Sequence, residues 1–347
     1  MSATEIANTN RQWVLKQRPR DKVSAELFEQ KSVDIPELRD GEFLVRVTHL
    51  SFDPTQRGWM SHDTYIPAIP VGGVVRAFGI GQVVKSRHSA FSPGQWVQGG
   101  FGWQEYCVTN GETDLGEVSV LPEGVTPELA LGVMGLTGMT AWFGLREVGQ
   151  PRAGDTVFVT GAAGATGSVV VQIAKDMGCK VIGIAGGADK CAWVRDVAGA
   201  DACIDYKSDN VMAELKRHAP NGLDVIFENV GGEILEAGLA NIAERGRIVL
   251  CGTISQYEID PREQKGIRFL SLLTIRRARM EGFIVLDYID RYPEAIAGLK
   301  DMMSRGKLQT LEDVRQGFEN IPDTLARLFT GKNFGKQLLK LADPPLE

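Results

Sequence analysis

The sequence predicts an α/β protein in two parts, a β-rich first part and a doubly wound parallel sheet. Three observations carry this expectation. An apolar strand, Val157-Phe158-Val159, runs through a turn with Gly161, Gly164 and Gly167 into an amphipathic helix. Strand-like and helix-like segments then alternate from Asp155 to about Cys251, the pattern of parallel strands joined by right-handed crossovers. Residues 12 to about 130 instead show period-two apolar alternation interrupted by glycine-rich turns.

Within the first part, Phe43–Leu50 alternates as a half-buried strand should, and Val71–Val84 carries glycines that predict bends or bulges in a small barrel. Ser92–Val97 reads as a turn feeding a strand, and Gly102–Val108 as another strand. Pro127–Gly149 reads as helical. The parallel strands are expected at Val157–Val159, Val181–Ala185, Ala202–Ile204, Val225–Glu228 and Arg247–Cys251. A helix is expected over Tyr292–Arg305, and strand-like sequence returns after about residue 310, ending in Lys336–Leu341. The domains are read as 1–130 with 310–347, and 131–309.

Composition excludes several classes. The 347 residues are 43% hydrophobic and 24% charged, ordinary for a globular protein of two domains. A net charge of −6 gives no basic patch for nucleic acid. Arg276-Arg277-Ala-Arg279 is short enough to be a solvated or subunit-facing segment. Met1–Asn10 is polar, without the apolar core of a secretory signal. The uncharged runs Leu129–Leu145 and Thr156–Ala174 are broken by glycines and threonines, so neither is a good membrane span. Five dispersed cysteines suit free thiols in a reducing compartment, and the expected location is the cytoplasm. Neither they nor the four isolated histidines offer zinc-ligand spacing, so no metal is expected.

The glycine turn carries the functional signal. Glycines permit the tight turn and the close approach of a pyrophosphate to backbone, and the first helical turn supplies unfilled N–H groups. The tip of the second strand sharpens this to NADP. An NAD-selective site places a carboxylate there to bind the ribose 2′-hydroxyl. Here stand Gly186 and Gly187, followed by Lys190, which either pairs with a 2′-phosphate or is an ordinary solvated helix lysine.

The β-rich first part, the glycine unit and the C-terminal return resemble the medium-chain dehydrogenase/reductase superfamily. Within it, the chain is similar to the zinc-free leukotriene B4 12-hydroxydehydrogenase/prostaglandin reductase group, which includes curcumin reductase-like and 2-alkenal reductase-like enzymes. The motifs are Asp53-Pro54 with Arg57-Gly58, Met134–Gly144, Gly161–Gly167, Asp205-Tyr206-Lys207, Glu228–Gly232, Cys251–Tyr257, Glu281–Val285 and Gly331–Lys336. The resemblance implies a GroES-like catalytic domain and a Rossmann NADP-binding domain.

It also implies roles. Gly164, Ala165, Thr166 and Gly167 would hold the pyrophosphate, with Gly186, Lys190 and Tyr206 around the 2′-phosphate. Thr140 would approach the nicotinamide ribose or the phosphates, and Asn229 would follow the fourth strand into the site. Cys251, Gly252, Thr253, Ile254, Ser255 and Tyr257 would line the nicotinamide. Phe283, Ile284, Val285 and Asn333 would close over the cofactor. Thr55 stands where many relatives carry an aromatic residue, which leaves the substrate open. A homodimer joined edge to edge through the sheets is implied, with a strand near Gly266–Ile275 as the contact.

The expected reaction is NADPH-dependent reduction of the C=C bond of an α,β-unsaturated ketone or aldehyde. Hydride addition to the β-carbon builds charge on the carbonyl oxygen, which a positioned hydrogen-bond donor stabilises. The nicotinamide ribose 2′-hydroxyl is one candidate donor; Tyr257 is the side-chain candidate, or else a packing or cofactor contact. Solvent then protonates the α-carbon. Arg57 orients an acidic group or forms a structural ion pair. Trp59 and Tyr65, read as loop residues, wall the substrate or simply pack. Cys251 reads as a small buried neighbour of the cofactor. The alternatives are a quinone reductase, a secondary-alcohol dehydrogenase, and a non-catalytic NADPH-binding protein.

Overall fold

A computed structural model describes residues 7–260 and 262–346. Residues 1–6 of the polar N-terminal segment lie outside the described residues. The chain divides into two compact units, one of residues 1–131, 313–332 and 337–347, the other of 132–312 and 333–336.

The second unit is built on six parallel strands. These are β1 (Thr156–Val159), β2 (Lys180–Ala185), β3 (Ala202–Asp205), β4 (Leu223–Glu228), β5 (Ile242–Leu250) and β6 (Arg279–Gly282). Their order in the sheet is β3-β2-β1-β4-β5-β6, a doubly wound arrangement whose order reverses between β1 and β4. Val157 of β1 faces Val181 of β2 on one side and Val225 of β4 on the other. A parallel sheet covered on both faces needs apolar residues at every position, hence the unbroken run Val157-Phe158-Val159, all fully buried.

Its helices are α1 (Leu136–Phe143), α2 (Ala165–Asp176), α3 (Ala188–Asp196), α4 (Val211–His218), α5 (Gly232–Ala240), α6 (Ser271–Arg276) and α7 (Tyr292–Ser304). One core cluster joins Phe158, Ile182 and Ile226 of the sheet to Leu215 of α4 and Leu235 and Leu239 of α5. Burying each such side chain contributes on the order of 1.5–3 kcal/mol.

The first unit is β-rich. Phe43–Ser51 pairs antiparallel with Gly79–Ser86, Tyr106–Thr109 and Lys336–Lys340. Phe43, Val45, Val47 and Leu50 are fully buried there.

Five expectations are corrected. The strand read over Gly102–Val108 begins only at Tyr106, because Gly102 takes a φ of +72° that turns the chain. Regular strand within Val71–Val84 begins at Gly79. The helical stretch Pro127–Gly149 is interrupted between Leu131 and Leu136. A helix, Ile321–Phe329, lies within the strand-like C-terminal part, burying Ile321, Leu325 and Leu328 at helical spacing. Residues 266–275 form no edge strand. They lead into α6, and the edge of the sheet is β6, paired with β5 from Arg247↔Arg279 to Leu250↔Gly282.

Candidate functional site

The carboxyl ends of the parallel strands all open at one end of the sheet, and nearly every cofactor residue expected from the sequence follows one of them. Gly164 to Gly167 follow β1, Gly186 and Lys190 follow β2, and Tyr206 follows β3. Asn229 follows β4, Cys251 to Tyr257 follow β5, and Phe283 to Val285 follow β6. A ligand of such a sheet lies outside these ends, at the point where strand order reverses.

The turn after β1 feeds α2 from Gly164, whose backbone is extended and which carries no side-chain cap. The first amides of α2 therefore have no partner within the helix and present partial positive charge to an anion. A Cβ on Gly167 would stand 2.2 Å from the Gly161 carbonyl oxygen, so only glycine closes this turn. A short segment from the far end of the sequence braces it. The Gly335 N–H donates to the Ala163 carbonyl at 2.9 Å, and Gly335 bridges Gly164 as a parallel neighbour. Asn333 in this segment donates from its side chain to the Gly335 carbonyl at 3.0 Å. These features fit a dinucleotide pyrophosphate.

At the tip of β2, the Tyr206 ring lies over Gly186, where a Cβ would meet the phenol oxygen at 2.6 Å. Lys190 sits in the first turn of α3, half-buried. The nearest strand-end carboxylate, Asp205 of β3, is turned to backbone. It accepts from the Gly187 N–H at 2.8 Å and the Lys207 N–H at 3.0 Å. Those amides hold its carboxyl below the usual carboxylate range.

Beyond β5, the Tyr257 hydroxyl folds back on its own loop and accepts from the Thr253 N–H at 3.3 Å. An accepted hydrogen bond polarises the phenol O–H. Cys251 is half-buried, and burial pushes its thiol up to about 12. So high a value leaves too little thiolate for a nucleophile. Thr140, on α1, donates to the Leu136 carbonyl at 2.7 Å, so its hydroxyl is held by its own helix. Phe283 packs against Gly144, where a Cβ would approach its ring to 2.4 Å. Ile284 is exposed and Val285 buried.

Of the three substrate candidates, two do not lie in an exposed loop. Arg57 and Trp59 lie on a helix, Thr55–Ser61, and are buried. Arg57 donates to the Asp21 carbonyl at 3.0 Å, the Arg20 carbonyl at 3.4 Å and the Ser61 hydroxyl at 3.0 Å, a structural tie. Trp59 is 2% exposed. Tyr65 stays outside, 46% exposed, with its ring edge-on to Trp59 at 6.5 Å.

One residue of the site was missed. Glu228 ends the apolar strand β4 and is fully buried. Its Oε1 accepts from the Thr160 hydroxyl at 3.0 Å and the amides of Val230 and Gly231 at 2.5 and 2.6 Å. Burial pushes its carboxyl above the ordinary carboxylate range, against the pull of those amides. The available signal was an acid directly after the apolar run Val225-Ile-Phe227, three residues before the glycine pair Gly231-Gly232.

Among known proteins, residues 11–116 match the family described as the N-terminal domain of oxidoreductase, and residues 165–301 that described as zinc-binding dehydrogenase. The chain is 37% identical to the NADPH-dependent curcumin reductase of Escherichia coli over 96% of this chain and 97% of that one. It is 37% identical to the 2-alkenal reductase (NADP(+)-dependent) of Nicotiana tabacum over 87% and 88%. The structure of CurA in complex with NADPH from Vibrio vulnificus superposes with a TM-score of 0.91 at 40% identity, covering 96% of this chain and all of that one. The chain belongs to the zinc-free group of the medium-chain dehydrogenase/reductase family. Among the described residues no group of three or more His, Cys, Asp or Glu side chains is gathered as a metal would need. The residues present thus do not fit the zinc that the second family description names. No helix among the described residues is long and apolar enough to cross a membrane.

Proposed function

We propose that this chain is an NADPH-dependent ene-reductase. It reduces the C=C bond of an α,β-unsaturated ketone or aldehyde and leaves the carbonyl intact. The observation that carries the cofactor is the β2 tip, where the strand is followed by Gly186 and Gly187 instead of a carboxylate, Asp205 of β3 is turned to backbone amides, and Lys190 stands in the first turn of α3. The relatives named above support the reaction class. When bound, NADPH supplies the hydride that adds to the β-carbon of the conjugated carbonyl.

The chain's own residues bind and orient. Amides of Ala165 to Gly167 hold the pyrophosphate, with Gly164 as the open helix entry. Lys190 and Tyr206 hold the 2′-phosphate beside Gly186. Asn229, Gly252, Thr253, Ile254 and Ser255, with Cys251, line the nicotinamide. Thr140, Phe283, Ile284, Val285 and Asn333 complete the enclosure and exclude water. Tyr257, its hydroxyl polarised by the Thr253 amide, donates to the carbonyl oxygen as charge gathers there. Solvent protonates the α-carbon. We keep Tyr65 as a substrate contact and assign Arg57 and Trp59 to packing.

We also infer a homodimer, and residence in the cytoplasm, which suits five free thiols. The edge strand β6 is largely exposed, and Ile275 at the end of α6 is 61% exposed beside it in the sequence. Such an edge pairs readily with a second copy.

Product analysis with NADPH deuterated at the transferred position tests the reaction. The label is expected on the β-carbon of a saturated ketone. Label on the carbinol carbon of an allylic alcohol would make this a carbonyl reductase instead.

A further inference from the structure

Glu228 has no role in the reading above, yet it holds an unusual position. Its single oxygen Oε1 gathers three donors. The Thr160 hydroxyl, which donates to it, also accepts from the Asn229 N–H at 2.7 Å. The Asn229 side chain then donates to the Thr160 carbonyl at 2.7 Å. One carboxyl thus ties the end of β1 to the loop after β4.

The tie extends to a third strand. The carbonyls of Asn229 and Val230 accept from the amides of Ile254 at 3.1 Å and Ser255 at 2.9 Å. The Glu228 carbonyl itself accepts from the amides of Cys251 and Gly252. The second of the two backbone amides at Oε1 belongs to Gly231, which then turns the chain with a φ of +78°, a value an L side chain rarely adopts. A Cβ there would also stand 3.0 Å from Thr253. The other oxygen, Oε2, is buried without a hydrogen-bond partner among the described residues, so the acceptor acts through one atom.

We propose that Glu228 is a positioning residue for the nicotinamide half of the cofactor site, setting the loops Asn229–Gly232 and Cys251–Tyr257 against the glycine turn through Oε1. This rests on the cofactor reading above. The adenosine half depends on residues after β2 and β3, on the other side of the switch point, and none of them bonds to Glu228.

That separation supplies the test. Calorimetric titration uses two probes, NADPH and adenosine 2′,5′-bisphosphate, which lacks the nicotinamide. The unaltered protein binds both. Glu228→Ala is expected to weaken NADPH about tenfold or more while changing the bisphosphate by less than about threefold. Glu228→Gln keeps a carbonyl in the place of Oε1 and loses no hydrogen bond at Oε2, so it restores NADPH affinity to within about threefold. Thr160→Val, which removes the bridging hydroxyl, reproduces the Ala effect in smaller degree and serves if Glu228→Ala fails to fold. Equal weakening of both probes, no loss of NADPH affinity, or a Gln variant as weak as Ala would each overturn the proposal. Failure of the unaltered protein to bind the bisphosphate would instead overturn the cofactor reading.

Discussion

A side chain at residue 186 and the Tyr206 hydroxyl cannot occupy the same space: a Cβ on Gly186 would stand 2.6 Å from that oxygen. Gly186 itself does not have a left-handed φ, so Gly186→Ala displaces the ring without straining the backbone. Tyr206 is 44% exposed and free to swing outward. The expected outcome is weaker NADPH binding by about 1 kcal/mol, roughly fivefold in Kd, with NADH changed far less. Fluorescence titration with both cofactors checks this.

Lys190→Ala tests the same pocket by charge. Losing a charge-assisted contact to phosphate costs roughly 1.5–3 kcal/mol. NADPH affinity is expected to fall by that amount while NADH affinity holds. If the unaltered protein binds both cofactors equally, the 2′-phosphate assignment fails.

Tyr257→Phe separates the two uses of the phenol. A donor needed only as the carbonyl oxygen gains charge affects turnover more than binding. The variant is expected to lose about 10²-fold in kcat, with NADPH affinity little changed. Unchanged kcat would leave Tyr257 a structural contact of its loop and no donor to the substrate.

Cys251 is expected to be chemically quiet. With its thiol pushed up to about 12, about one part in 10⁴ is thiolate at pH 8. Iodoacetamide at that pH is expected to leave turnover intact over an hour. Rapid inactivation that Cys251→Ala abolishes would contradict this.

The first unit carries a pH dependence in His49, which is 5% exposed. Burial lowers its pKa below the ordinary 6.5, with Glu128 pulling it part of the way back and Lys340 lowering it further. A base with a depressed folded pKa contributes stability above its unfolded pKa and loses it as pH falls through the folded value. Melting temperature is therefore expected to decline from pH 7 to pH 5, and less steeply in His49→Gln. Equal slopes would show that other groups set the acid limit.

The sheet was legible where burial on both faces forces apolar runs, as at Val157–Val159 and Val181–Ala185. β6 was not, because Arg-Met-Glu-Gly has neither alternation nor β-branching, and backbone pairing to β5 alone makes it a strand. The helix Thr55–Ser61 was hidden by Gly58 and by the lack of a side-chain cap. With it went the burial of Arg57 and Trp59. The loops after β1 to β5 could be placed from strand order, since each follows a legible strand end; Phe283 to Val285, after β6, rested on the resemblance alone. Glu228 could not, because its role depends on the Val230 and Gly231 amides, which meet at Oε1 only in the folded loop.

The brace between Gly335 and the glycine turn bears on how the protein is made. Residues 333–336 belong to the second unit although first-unit segments flank them on both sides. During translation, the glycine turn leaves the ribosome long before its partner does, and the loop that joins them must close late. A contiguous excision of 132–312 would leave the Ala163 carbonyl without the Gly335 N–H. The nucleotide unit is therefore not a cassette that recombination can lift out whole, and a transplant must carry this distant four-residue piece with it.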